Sequence, residues 1–284
     1  MNAKKHPVFF PRLFAALLAV ALTLSACTTA AVTPALPEAT AMPAPAETAQ
    51  PATSLPPEPT SAPAQGGALQ LVLDTTGIAS SLQSESVPAV AAGDNAPYWD
   101  LLPAYTRVTL QGYPISAHLM QAQIFIYPVR ELGQVNEGAG TIVAALQSML
   151  ATPQESAHMP FLPLFNASQV LHAQVQTLDF KNGKGLRYLT QFDQAPLPVN
   201  NHELIYTYQG LSSDGKYYVA AVLPVNHPSL PANERVSGNE PPEFRSDFPA
   251  YLANVTKSLN EQPANTFIPD LTKLDAMLAS MEIK

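Results

Sequence analysis

Two short turn signals, each set between runs of β-branched and aromatic residues, constrain this chain more than any other feature. Lys181-Asn182-Gly183-Lys184 separates residues 169–180 from 185–192, and Ser212-Ser213-Asp214-Gly215 separates 203–210 from 216–223. Asn-Gly and Asp-Gly favour tight turns that need positive φ, so each run is expected to fold back on the next as an antiparallel hairpin. Two hairpins in series argue against a doubly wound parallel sheet and for an α+β architecture.

The flanking segments complete that expectation. Residues 105–111 and 119–129 form a strand pair around Gly112-Tyr113-Pro114, with Pro128 ending the ladder. Ile142, Val143, Leu146, Met149 and Leu150 recur at helical spacing and predict a helix over 138–150, stopped at Thr152-Pro153. Near the C-terminus, Ser246 is the expected N-cap of a helix that buries Phe248, Tyr251, Leu252, Val255 and Leu259. A second helix is expected from Pro269, with Leu271, Leu274 and Leu278 inward. Residues 67–284 therefore read as a single globular α+β domain. Its mainly antiparallel sheet is built from serial hairpins and covered by helices, including two C-terminal helices. Tyr188, Tyr206, Tyr208, Tyr217 and Tyr218 fall on the hairpins. They suit either a recognition face or the core, and core is the expectation. The element order is similar to the PsbP-like fold, which implies an antiparallel sheet between helices and an extracytoplasmic accessory or lipoprotein role. The hairpin over 203–223 also resembles uncharacterised secreted bacterial domains, a likeness that implies no activity.

The N-terminus bears on placement. Lys4, Lys5 and Arg12 precede an apolar run over 13–26, too short for the roughly 20 residues of a spanning helix. The pattern is that of an export signal. Leu24-Ser25-Ala26-Cys27 resembles the lipobox of bacterial lipoprotein precursors. That resemblance implies a signal peptide over 1–26, a diacylglyceryl group on the Cys27 sulfur and cleavage just before it. Ordinary secretion with cleavage near Ala30 is the alternative. Two or three acyl chains on Cys27 would hold the protein at a membrane, where one chain binds only marginally. Cys27 is the only cysteine, so no internal disulfide can staple the fold. Residues 28–66 are rich in Pro, Ala and Thr, without an aromatic residue, and are expected to be a disordered tether. Its reach lies between roughly 35 Å as a coil and roughly 120 Å extended. The expected location is the extracytoplasmic side of a cell membrane, lipid-anchored.

Charge and motifs narrow the function. The formal charge is −8, and losing Lys4, Lys5 and Arg12 makes the mature chain more acidic still. No Lys/Arg cluster remains, so a nucleic-acid partner is not expected. GxSxG, HExxH, GxxxxGK[ST] and GxGxxG are all missing from the sequence. A thiolate zinc site is excluded, and neither metal nor cofactor is expected. The most suggestive loop is Asp193-Gln-Ala-Pro-Leu-Pro-Val-Asn-Asn-His-Glu203. Asn200, Asn201, His202 and Glu203 set amides, an imidazole and a carboxylate side by side, able to bind a sugar or cation or to supply a general base. Turn chemistry explains the same residues and is the favoured reading. His172, inside a strand, is expected to be structural. The resulting expectation is a non-catalytic accessory or binding module with an envelope protein, peptide or glycan partner. An envelope hydrolase or metal-dependent enzyme using His202 and Glu203 with a distant carboxylate is the alternative, and a solute-binding receptor a further one.

Overall fold

A computed structural model describes residues 69–284 apart from 91, 92, 94, 153–155 and 157. Cys27, the signal peptide and the Pro-rich segment 28–66 lie outside the described residues. The described residues all fall within one compact unit. The elements run β1 (Leu71–Val72), β2 (Ser81–Val87), β3 (Tyr105–Gln111), β4 (Gln123–Pro128), α1 (Val129–Val135) and α2 (Glu137–Ala151). The four hairpin strands follow as β5 (Ser168–Phe180), β6 (Gly183–Asp193), β7 (Ile205–Ser212) and β8 (Tyr217–Pro224). The chain closes with α3 (Glu243–Ser246), α4 (Phe248–Asn260), α5 (Leu271–Ala279) and β9 (Glu282–Ile283). Strands β2 to β8 form one antiparallel seven-stranded sheet in the order β2-β3-β4-β8-β7-β6-β5. The chain is α+β, with helices on both faces of the sheet.

Burial explains the layering. Strands β7 and β8 are buried almost throughout, the mark of strands covered on both sides. Ile124, Ile126, Tyr206, Tyr208, Val219 and Leu223 pack on one face against Leu259, Leu271, Leu274 and Leu278 from α4 and α5. Phe125, Tyr127, Tyr188, Tyr218 and Val222 pack on the other against Leu132, Val143, Leu146 and Met149 from α1 and α2. The hairpin tyrosines are core. The hydroxyl of Tyr188 donates to Pro160 O (2.8 Å), that of Tyr208 to Leu178 O (3.0 Å) and that of Tyr218 to Gln209 Oε1 (2.7 Å). Tyr217 and Tyr218 face opposite layers, and both layers are covered.

The turns differ in why they need glycine. Gly215 has φ +71°, and Asp214 Oδ1 accepts from Lys216 N–H, as an Asp-Gly turn requires. Gly183 does not adopt positive φ; it already belongs to β6, paired with Phe180. A Cβ there would lie 2.0 Å from Phe180 Cζ and 2.4 Å from Leu211 O, so close approach selects glycine. Asn182 is held by the C-terminus instead: its Nδ2 donates to Ile283 O (2.7 Å) and its Oδ1 accepts from Ile283 N–H (3.1 Å). β9 pairs with β1, so the two ends of the described chain meet there.

Several boundaries move. β7, expected over 203–210, runs Ile205–Ser212, with Glu203 in the turn before it and Ser212 in the strand. Asp247, not Ser246, caps α4, its carboxylate accepting from Ala250 N–H, while Ser246 closes the short α3. α5 begins one residue past Pro269-Asp270, with Asp270 as its cap. Strand β4 begins at Gln123; residues 119–122 instead form a loop, in which Leu119 N–H donates to His202 O.

Across β6 and β7, Gly185 faces Gly210, and the ring of Tyr208 lies over both. The ring covers the backbone that two missing side chains leave bare. Gly185→Ala sets its Cβ 2.4 Å from Gln209 O and 2.6 Å from Gly210 Cα. We expect a loss of about 1–3 kcal/mol, from overpacking against backbone that cannot swing away, read by urea denaturation. A change below about 0.5 kcal/mol would show that the strand pair yields.

Candidate functional site

The loop between β6 and β7 closes one end of the sheet, and its residues are organised by a buried glutamine. Gln191 Oε1 accepts from Asn200 N–H at 3.0 Å. Its Nε2 faces Asp193 Oδ2 at 2.9 Å, Glu203 Oε2 at 3.3 Å and Pro198 O at 3.4 Å, two N–H groups for three acceptors. Asn200, fully buried, shapes the turn: its Nδ2 donates to Glu203 Oε2 (2.6 Å) and Pro198 O (3.0 Å), and its Oδ1 accepts from His202 N–H (2.9 Å).

The four residues Asn200, Asn201, His202 and Glu203 are adjacent in sequence and diverge in space. Asn201 turns away to hold the following loop, donating to His227 O and Leu230 O and accepting from His227 N–H (2.7 Å). His202 lines a shallow cleft of about 430 Å³ with Ala117, Asn233, Glu234 and Arg235, its Nδ1 3.3 Å from Glu234 Oε2. Glu203 lines a different, apolar notch of about 190 Å³, walled by Leu119, Met120, Phe165, Phe192 and Ile205. Asn200 and Glu203 thus share one network, and His202 serves another. The side chains of both asparagines are engaged in turn and loop hydrogen bonds.

Electrostatics set this end apart. Burial first, and the Glu203 carboxylate to a lesser degree, push the Asp193 carboxyl up to about 6, against the hydrogen bond from Gln191. Asp193 is 6% exposed, and its Oδ1 has no hydrogen-bond partner among the described residues. His118 sits beside the turn with its ring centre 6.3 Å from that of His202. It accepts from Met120 N–H at Nδ1 (2.9 Å), which leaves Nε2 as the donor to Leu204 O (2.9 Å). Burial lowers its affinity for a proton, so it is a structural neutral histidine.

The other histidines separate in the same way. His227 is 3% exposed and bonded to Ser229 Oγ and Thr266 Oγ1. Asn201 draws it inward. His172 is half-buried on β5. Among the described residues no group of three or more His, Cys, Asp or Glu is placed to hold a metal.

A second cleft, of about 550 Å³, lies at the opposite, hairpin-turn end of β5, β6 and β7. Lys181, Lys184, Ser212, Ser213 and Gln147 line it. Among the described residues no helix is long and apolar enough to cross a membrane; the apolar run 13–26 lies outside them. Sequence reasoning missed Gln191, Phe165 and Phe192. Gln191 is one of three polar residues, with Arg187 and Thr190, in the strand segment Leu186–Phe192, so nothing local singles it out, and the partners it bridges come from a loop whose path only the fold sets.

No family model, no curated protein and no solved structure matches this chain.

Proposed function

We propose that this protein is a lipid-anchored extracytoplasmic envelope protein that binds rather than transforms its ligand. Leu24-Ser25-Ala26-Cys27 supports the anchor, and the Pro-rich segment 28–66 supports a head carried away from the bilayer. The arrangement of a sheet enclosed by helices on both faces is consistent with the PsbP-like reading. One observation carries the binding role. Glu203 has one oxygen fixed by the Asn200 and Gln191 amides, while its side chain lines an apolar notch. A fixed carboxylate on an apolar wall orients a ligand; it does not by itself assemble a nucleophile and a base.

The anchor is tested on membranes of the producing cell. The N-terminal peptide of the mature chain is expected to begin at Cys27 with a diacylglyceryl mass on it, and Cys27→Ser is expected to lose membrane retention. An unmodified Cys27, or a mature N-terminus beyond it, overturns the anchor.

A second reading, an envelope hydrolase, draws on the His202–Glu234 pair. Glu234 supplies the distant carboxylate that a histidine base would need. Saturable stabilisation by a divalent metal, lost in His202→Ala, would favour it over the binding role.

A further inference from the structure

Resting on the binding role just proposed, we infer that the Glu203 notch is the docking point for a protein partner's exposed segment, one that presents an aromatic or aliphatic side chain beside a lysine or arginine. Three observations converge on this. The first is size. A volume of about 190 Å³ is below the roughly 300–1,000 Å³ of small-molecule pockets and slightly above the roughly 150 Å³ cavity that holds one benzene. It takes one side chain, not a whole metabolite.

The second is the character of the wall. Leu119 stands on the rim 61% exposed, and Phe165 and Phe192 meet edge to face at 5.0 Å behind it. Phe161 backs both rings, at 5.3 Å from Phe165 and 4.5 Å from Phe192, so the floor is rigid aromatic surface. An exposed leucine at the mouth of an aromatic floor is apolar surface awaiting a cover.

The third is charge. Asp193 and Glu203 share one amide donor in Gln191, and Asp193 Oδ1, buried, has no partner among the described residues. No lysine or arginine forms an ion pair with either carboxylate among the described residues. Asp193 is a buried carboxylate without a cation, which is costly, and its neighbour Glu203, half-buried, brings the same negative charge to the notch wall, where an ammonium or guanidinium would offset it. The chain's own residues 28–66 do not supply it: they hold Glu38, Glu47 and Glu58 and no Lys, Arg or His.

The experiment titrates the mature chain with four capped peptides, Gly-Phe-Arg-Gly, Gly-Phe-Glu-Gly, Gly-Ala-Arg-Gly and Gly-Phe-Gln-Gly, and with phenethylamine. Amide and methyl shifts of Leu119, Ala167 and Ile205 are followed by NMR. The Phe-Arg peptide is expected to bind about tenfold more tightly than Phe-Glu and Ala-Arg, with its shifts centred on those residues. The advantage over Phe-Gln should shrink at 1 M salt, where charges screen within roughly 3 Å. Glu203→Gln keeps an acceptor for the Asn200 amide and should abolish the Arg preference. Leu119→Ser, at an exposed position, should weaken all Phe peptides with the fold intact.

Equal binding of Phe-Arg and Phe-Glu overturns the ligand class while leaving the binding role in place. No saturable shift at the notch, or shifts centred on His202 or on Lys184, overturns the site. Phenethylamine binding as tightly as the peptide assigns the notch to a free amine instead. Concentration-dependent self-association lost in Leu119→Ser assigns it to a second copy, again against the proposal. An unlipidated Cys27 touches only the anchor.

Discussion

Asp275→Ala is expected to cost about 3–5 kcal/mol and to lower the melting temperature on the order of 10 °C. The reason is Arg187, whose side chain is 2% exposed on β6 beneath α5. Its Nε lies 3.1 Å from Asp275 Oδ1 without a well-aligned hydrogen bond, and its Nη2 lies 3.3 Å from Oδ2. Its Nη1 donates to the carbonyl of Gln174, at the bulge of β5. Tyr206 also donates to Asp275 Oδ1, at 2.7 Å; burial first, then that carboxylate, keep its hydroxyl protonated. Removing Asp275 leaves a guanidinium in the core with one carbonyl for company. Removing both charges is a different matter, because a buried pair often returns little more than its desolvation costs. Arg187→Met with Asp275→Asn keeps an acceptor for the Tyr206 hydroxyl and is expected to recover most of the loss. Urea denaturation of both variants decides it: if the double variant is as unstable as Asp275→Ala, the penalty is not that of an orphaned charge.

Gln174 shows what holds that region in place. It adopts φ +55°, and its Nε2 reaches the carbonyls of Leu259 (2.8 Å) and Gln262 (2.9 Å), where α4 ends. The final carbonyls of a helix have no partner within it. A bulged strand residue supplies the donor here. The same bulge breaks the register of an edge strand, which would otherwise offer a ladder to another chain.

How far the sequence reveals this depends on the kind of signal. Periodicity and turn residues are local, and they place β5 to β8, α2, α4 and α5 within a few residues. β2 carries no such signal. Ser81-Leu82-Gln83-Ser84-Glu85-Ser86-Val87 is polar because it is an edge strand with both faces largely in water. α1 is seven residues, too short for a stripe to declare itself. Arg187 reads as one polar residue in a strand, and only the pairing register tells inward from outward. The candidate site is legible in its loop and illegible in its geometry. Asn200 and Glu203 are three apart and converge, whereas His202 and Glu203 are neighbours and part, because a tight turn sends successive side chains to different sides. Phe165 comes from a loop before β5 and Leu119 from one before β4. Nothing along the chain relates those positions.

Asp193 ties that geometry to solution behaviour. Its folded pKa of about 6 lies above the ordinary aspartate value of 3.8, so the folded state binds the proton more tightly than the unfolded chain does. Below about pH 3.8 the group is protonated in both states and contributes nothing. Stability then falls as pH rises through the window from 3.8 to 6, and the full penalty persists above it. A shift of about two units amounts to roughly 3 kcal/mol. Asp193→Asn removes the ionisation and keeps an acceptor for the Gln191 amide, at the cost of about 1 kcal/mol for a buried amide N–H. The variant is therefore expected to be about 2 kcal/mol more stable than the parent at pH 7.5. At pH 4 the gain should vanish or reverse. The slope is the sharper readout, since the amide cost is independent of pH: denaturation from pH 4 to 7.5 should show the parent losing stability that the variant keeps. Parallel profiles would mean that the carboxylate is solvated after all. Among the described residues, the groups facing Asp193, the Gln191 amide from β6, Glu203 from the loop and the Tyr251 ring from α4, bring no positive charge. Two carboxylates this close, with one amide between them and no lysine or arginine paired to either among the described residues, are where an added positive charge should raise stability most.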